Sequence, residues 1–328
     1  MKYIILLLCF ILVLSETKIP SLDFQQSVKV GSYKVTHIND GGTYIHPKSL
    51  YPESTSSFWD EHKDLLNENG NILLSFGGFL FETKNKKILM DLGLGPERIN
   101  VKGIGFASGG PYLKNLEKAG VKPEEITDVF FTHLHQDNVG WTTIKKNGKY
   151  ELTFPKANYW VSKYEWESFE KRLKKEEKEE KEMNEDLLKR VYEPLKDIIK
   201  FAQERKEIAP GLFPISSAGH SPGLYILKLE AEGKIIWFTS DIFHSIAEFY
   251  DITLFSDLDH TKFSKETRVI ILPEFCRPHA VIANARFGKY VFGKLNDDNR
   301  KINWDPCITK ECKFYLDGHN LAFQEEDL

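Results

Sequence analysis

The residues best suited to chemistry in this 328-residue chain lie in the run Thr132-His133-Leu134-His135-Gln136-Asp137-Asn138. Two histidines two positions apart project to the same side of an extended or tightly looped backbone, and Asp137 continues that side. Imidazole nitrogen and carboxylate oxygen are donors that zinc accepts at about 2.0–2.2 Å. A lone His-x-His is often a packing pair, but this one follows the apolar stretch 128–131 and precedes Gly140. Open α/β sheets place their ligands in loops at the C-terminal ends of strands. Two further candidates stand at strand ends in the second half. His220 lies in Ala218-Gly219-His220-Ser221-Pro222-Gly223, where it also reads as a turn histidine. Asp241 ends the apolar run 235–240, and a carboxylate beside such a run needs a cation or a metal. His244 follows three residues later, as a neighbour of the site or an exposed loop histidine.

Strands and helices must bring these loops together. Strand-like alternation covers 28–39, 72–82, 87–90 and 128–131, with an amphipathic helix over 112–119. It resumes at 212–215, in a hairpin of 225–231 with 234–239, and at 269–272 and 289–292. Between the halves, segment 163–206 carries eight basic and eight acidic side chains from Glu170 to Arg190. It predicts solvated helices laced with i,i+4 pairs, two rather than one rod because of Pro194, forming a cap or protrusion. Two strand-rich halves around a helical insertion fit an α/β, four-layer αββα sandwich. The chain divides into a signal peptide, 1–15, and one domain, 16–328.

The order of these pieces resembles the metallo-β-lactamase superfamily across most of 72–292. Met90-Asp91-Leu92-Gly93 is similar to its early Asp-x-Gly element, and His133, His135 and Asp137 to its His-x-His-x-Asp-His signature. The turn at His220 and the pair Ser240-Asp241 resemble its later histidine turn and bridging aspartate. The run around His133, Phe154-Pro155-Lys156-Ala157 and 240–244 look most like the branch of lactonases and organophosphate hydrolases. The resemblance implies one metal on His133, His135 and His220, with Asp241 bridging to a second on Asp137 and two more histidines. It implies that Asp91 orients a ligand without being one, and places Asn138 and His244 beside the ligands. A metal-bound hydroxide would then attack an ester, lactone or related bond of a small-molecule substrate, with Asp137 in a catalytic role.

Two positions depart from that pattern. Asn138 stands where the family carries histidine, and an amide oxygen is a poorer ligand for a borderline metal. The family's last histidine corresponds to Glu274 if 269–272 is the preceding strand, or to His279 if the loop bends. Zn²⁺ is therefore expected at the first site, while the oxygen-rich second site binds zinc weakly, prefers Mn²⁺ or Mg²⁺, or stays empty. Alternatives to the hydrolase are an inactive secreted relative that acts as a binding protein, and another metal chemistry on the same fold. Trp141 lines the site or packs beside it.

Bulk properties exclude other classes. A formal net charge of −4 provides no basic footprint for nucleic acid. Lys2 and the twelve apolar residues 3–14, ending at Ser15, read as a cleavable secretory signal, too short for a comfortable membrane anchor. A secreted protein without stable membrane insertion is expected. Removal of Cys9 with that signal leaves Cys276, Cys307 and Cys312, enough for one disulfide of open pairing.

Overall fold

The computed structural model describes residues 25–306 apart from 97, 102–104, 176–180, 258 and 299–300. The signal segment, Cys307 and Cys312 lie outside the described residues.

Alternation along the strands builds two packed sheets. The first contains Ser27–Val30, Tyr33–Ile45, Ile72–Glu82, Lys87–Met90, Arg98–Val101, Gly105–Ser108, Asp128–Phe130, Asn158–Ser162 and Lys200–Ala202. The second runs in the order Leu212–Ser216, Tyr225–Ala231, Lys234–Phe238, Ala280–Ala283, Phe292–Asp298, Lys301–Pro306. Phe79, Phe81, Ile88, Met90 and Phe130 of the first sheet meet Leu227, Leu229, Ile236, Phe238, Val281 and Ala283 of the second in one core. The residues between them in sequence point outward. Leu80, Leu89 and Val129 enter an outer core, and Ile226, Trp237 and Ile282 another on the far side. A period of two thus makes both faces of both sheets apolar, and helices must cover the outer ones. The expected αββα sandwich is the architecture found.

The helices differ more from expectation. Segment 163–206 is no solvated protrusion: helix Lys163–Leu173 turns Glu165, Trp166 and Phe169 inward, and Leu187, Val191 and Leu195 join them in the outer core of the first sheet. Spacings of three and four conceal this stripe among the charges. The stretch 269–272 is not a strand. It lies within helix Thr261–Phe275, where Ser264, Arg268, Ile271 and Phe275 are buried at i, i+4, i+7 and i+11. Val269 and Ile270, which made the run look like a strand, are 58% and 75% exposed. The true strand is the apolar quartet Ala280–Ala283, parallel to Lys234–Phe238. The expected strand 289–292 gives way to one beginning at Phe292.

Candidate metal centre

Parallel pairing carries the candidate residues to one end of the sandwich. Met90 pairs with Phe130 in the first sheet and Phe238 with Ala283 in the second. His133 therefore emerges three residues beyond one strand, and Asp241 and Arg286 three beyond two others.

Asp91 anchors the His133 loop. It holds a left-handed φ of 58°, which a short polar side chain tolerates. Its two carboxylate oxygens accept the Thr132 amide at 2.9 Å and the Thr132 hydroxyl at 2.8 Å. With its proton given to Asp91, that hydroxyl can only accept from His133 Nδ1, 3.0 Å away. This leaves the lone pair on His133 Nε2. The loop is clipped on its other side by Leu92 N–H to Asn138 O, 2.7 Å, and Gly140 N–H to Gly93 O, 2.8 Å. Gly140 must lack a side chain, because a Cβ there would lie 1.9 Å from the Leu94 carbonyl carbon.

The helical segment supplies a tie that sequence reasoning missed. Ser162 caps helix Lys163–Leu173 by accepting from Glu165 N–H at 3.1 Å. Glu165, buried in the first turn, accepts Leu134 N–H at 3.0 Å on one oxygen, and Ser221 Oγ at 2.8 Å and Gly223 N–H at 3.0 Å on the other. One carboxylate joins the loop of His133 and His135 to the loop of His220.

His133, His135 and His220 converge, with a ligand nitrogen from each within 4.8 Å of the others. His135 Nδ1 lies 2.9 Å from His220 Nε2. His220 Nδ1 faces Asp259 Oδ1 at 3.4 Å and His244 Nε2 at 3.1 Å, which turns Nε2 toward the other histidines. A tetrahedral ion with nitrogen ligands at about 2.0–2.1 Å sets them roughly 3.4 Å apart, so the donor set fits one such ion. Burial holds the His133 and His135 imidazoles well below their ordinary pKa, and a neutral imidazole is the ligating form. His244 differs: burial opposes its charge, yet Asp259 and Glu248 raise its pKa to about 9. Arg268, fully buried, ties Glu248 and Asp259 together at 2.7 and 3.3 Å. His244 therefore belongs to a charged support behind His220 rather than to an exposed loop.

Asp241 Oδ2 lies 3.5 Å from His133 Nε2 and 3.4 Å from His220 Nε2. Burial would favour its protonation, but Arg286 and the histidines hold its carboxyl well below the usual range. Arg286 Nε donates to Asp241 Oδ1 at 2.7 Å and Nη2 to Oδ2 at 2.8 Å. Nη2 also lies 2.6 Å from Asp137 Oδ2 and 3.4 Å from Asn138 Oδ1. Asp137 is thus drawn to Arg286 and stands outside the trihistidine cluster. Asn138 Nδ2 lies 3.1 Å from His133 Nε2.

The two expected last ligands are not there. Glu274 sits in the final turn of helix Thr261–Phe275 and pairs with Arg277 at 2.6 Å. Exposed His279 precedes strand Ala280–Ala283, at the opposite end from the site. Both expectations followed from taking 269–272 as the strand that precedes the last ligand. Its true counterpart, 280–283, leads to Asn284 and Arg286 instead. Asn284 Nδ2 shares its two protons among Thr239 Oγ1, Ser240 O and Phe243 O, which lie 2.9, 2.7 and 2.9 Å away, while its Oδ1 accepts Arg286 N–H at 2.8 Å. The only local sign of this role is a polar residue directly after an apolar quartet.

Beside the site, a cavity of about 290 Å³ is lined by Tyr44, Trp59, Ile72, Ser245, Phe287 and Tyr290, among others. Ser245 and Phe287 directly follow His244 and Arg286 in the chain. Segment 43–71 contributes to this wall, and the described residues of 163–206 do not.

Comparison with known proteins agrees with this architecture. No family model matches the chain. It is 26% identical over 207 residues to an N-acyl homoserine lactonase of Bacillus cereus, covering 58% of this chain and 73% of that protein. Among solved structures it is similar to a hydrolase of the β-lactamase superfamily, AbOPH, with a TM-score of 0.71, 25% identity, and 87% and 98% of the two chains covered. The dizinc quorum-quenching lactonase AidC superposes with a TM-score of 0.74 at 21% identity, over 88% of this chain and 98% of its own. A probable metal-dependent hydrolase from Staphylococcus aureus gives 0.70 at 22%, over 86% and 99%. The chain has the metallo-β-lactamase fold.

Proposed function

We propose that this protein is a metal-dependent hydrolase of esters, lactones or related bonds in small molecules, with a divalent ion, zinc by preference, on His133, His135 and His220. The observation that carries this is the convergence of three imidazole nitrogens at the strand ends of the fold, with His133 and His220 oriented by Thr132 and Asp259 behind them. When bound, the ion supplies Lewis-acid activation of water and of the scissile group. Asp241 Oδ2, beside two of the three ligand nitrogens, is fixed by Arg286 and balances positive charge there. Asp137 has a side chain 12% exposed against 4% for Asp241, and takes the proton from the attacking water. The apolar cavity beside the site receives the non-reacting part of the substrate. The Bacillus cereus lactonase and AidC support a lactone as the first substrate to try. A complete trihistidine set with its supports disfavours an inactive binding protein.

Elemental analysis of the purified protein, with assays on activated esters and lactones in added Zn²⁺ or Mn²⁺, tests the reading. His133→Ala is expected to abolish both bound metal and hydrolysis. A wild-type protein with neither metal nor activity would sink it. The apolar run 3–14 supports a secreted enzyme, and no helix among the described residues is long and apolar enough to cross a membrane.

A further inference from the structure

The fold's relatives include a dizinc enzyme, yet the position between Asp137 and Asp241 is filled by a side chain of this protein. We infer that the Arg286 guanidinium takes the place of a second cation, so that the site holds one divalent ion. The inference rests on the trihistidine reading above and adds to it a statement about stoichiometry.

Its geometry is that of a bridging cation. Arg286 grips Asp241 through two parallel bonds of 2.7 and 2.8 Å and reaches Asp137 at 2.6 Å with the same Nη2. Planar, bidentate pairing of this kind is specific to guanidinium. The side chain is built in rather than draped over the site. It is 5% exposed, its carbon Cζ stands 5.0 Å over the Phe76 ring, and its backbone is held by Asn284.

The donor set points the same way. Among the described residues, the groups that hold a ligand atom near this position are two carboxylates and the Asn138 amide, with no imidazole of their own. A second divalent ion would share both carboxylates with a guanidinium already bonded to them. The residues present do not fit that ion.

Charge explains the exchange. Asp137 and Asp241 bring two negative charges into a buried site, and unpaired carboxylates there are costly. Arg286 neutralises one and holds both in place permanently, since a guanidinium cannot be chelated away and keeps its proton. Arg286 is therefore a positioning residue: it acts through Asp241 and Asp137.

Zinc titration of the metal-stripped protein by calorimetry, with elemental analysis of the product, reads the stoichiometry. The wild type and Arg286→Lys are expected to saturate at one ion per chain, and Asn138→His/Arg286→His at two. Two ions in the wild type overturn this inference and leave the trihistidine reading standing. No ion in the wild type overturns that reading and this one with it. A double variant with a native circular dichroism spectrum that still takes one ion overturns the claim that Arg286 excludes the second. Should the double variant not fold, the wild-type titration decides.

Discussion

At His133 the nitrogen that faces the site is chosen two hydrogen bonds away. Asp91 takes the Thr132 proton, Thr132 can then only accept from His133 Nδ1, and Nε2 is left with its lone pair. Asp91→Ala unpairs a buried amide and hydroxyl together and should lower unfolding free energy by about 1–3 kcal/mol. Asp91→Asn keeps an acceptor and tolerates the left-handed backbone, so urea denaturation should show it closer to wild type than to Asp91→Ala. At Arg286 the same economy of position works through charge. A second divalent ion within about 4 Å of the guanidinium would meet repulsion of several kcal/mol.

The loops depend on elements that do no chemistry. Helix Lys163–Leu173 contributes Glu165, whose three accepted bonds join the two histidine loops. Glu165→Gln loses at least one of them, because an amide has only one acceptor oxygen. Zinc affinity should fall roughly 10-fold or more, the usual effect of removing a support behind the ligands. An unchanged affinity would show that the loops hold their positions without this tie. Gly140 belongs to the same scale, since its Cα packs against the 94–95 backbone at the edge of the His133 loop. Gly140→Ala should cost about 1–3 kcal/mol through overpacking, measurable as a lower denaturant midpoint.

Across the whole molecule, four layers bury groups that water would otherwise protonate. His37, fully buried on strand Tyr33–Ile45 and packed on Phe79, has its pKa lowered by burial to about 3. Below pH ~6.5 the unfolded chain takes up this proton while the folded one does not, so stability falls as pH drops through that range. It is fully present above the unfolded pKa. The loss is about 1.4 kcal/mol per pH unit below 6.5, or roughly 2 kcal/mol at pH 5. His37→Phe should flatten that slope in denaturant titrations at pH 7 and pH 5. An unaltered slope would place the acid sensitivity elsewhere.

The sequence by itself determined the sandwich and singled out the His133–His135 pair. Alternation at 72–82, 87–90 and 225–238 is a local pattern, and a period of two commits each side chain to a face wherever the strand pairs. His133 and His135 carry their geometry in their spacing, and Asp241 announces itself as a charge at the end of an apolar run. The stripe of helix Lys163–Leu173 was hidden because Trp166 and Phe169 stand among charges that dominate composition. The strand that leads to Arg286 could not be identified locally, because two short apolar runs, 269–272 and 280–283, are equally strand-like. Only packing separated them: Arg268 and Ile271 turn inward on a helix, while 280–283 pairs with Lys234–Phe238. That register, Phe238 beside Ala283, sends Asp241 and Arg286 out of the sheet together. The tertiary structure thus decided what stands between the two aspartates, because the contact joins residues 149 positions apart at one end and 45 at the other.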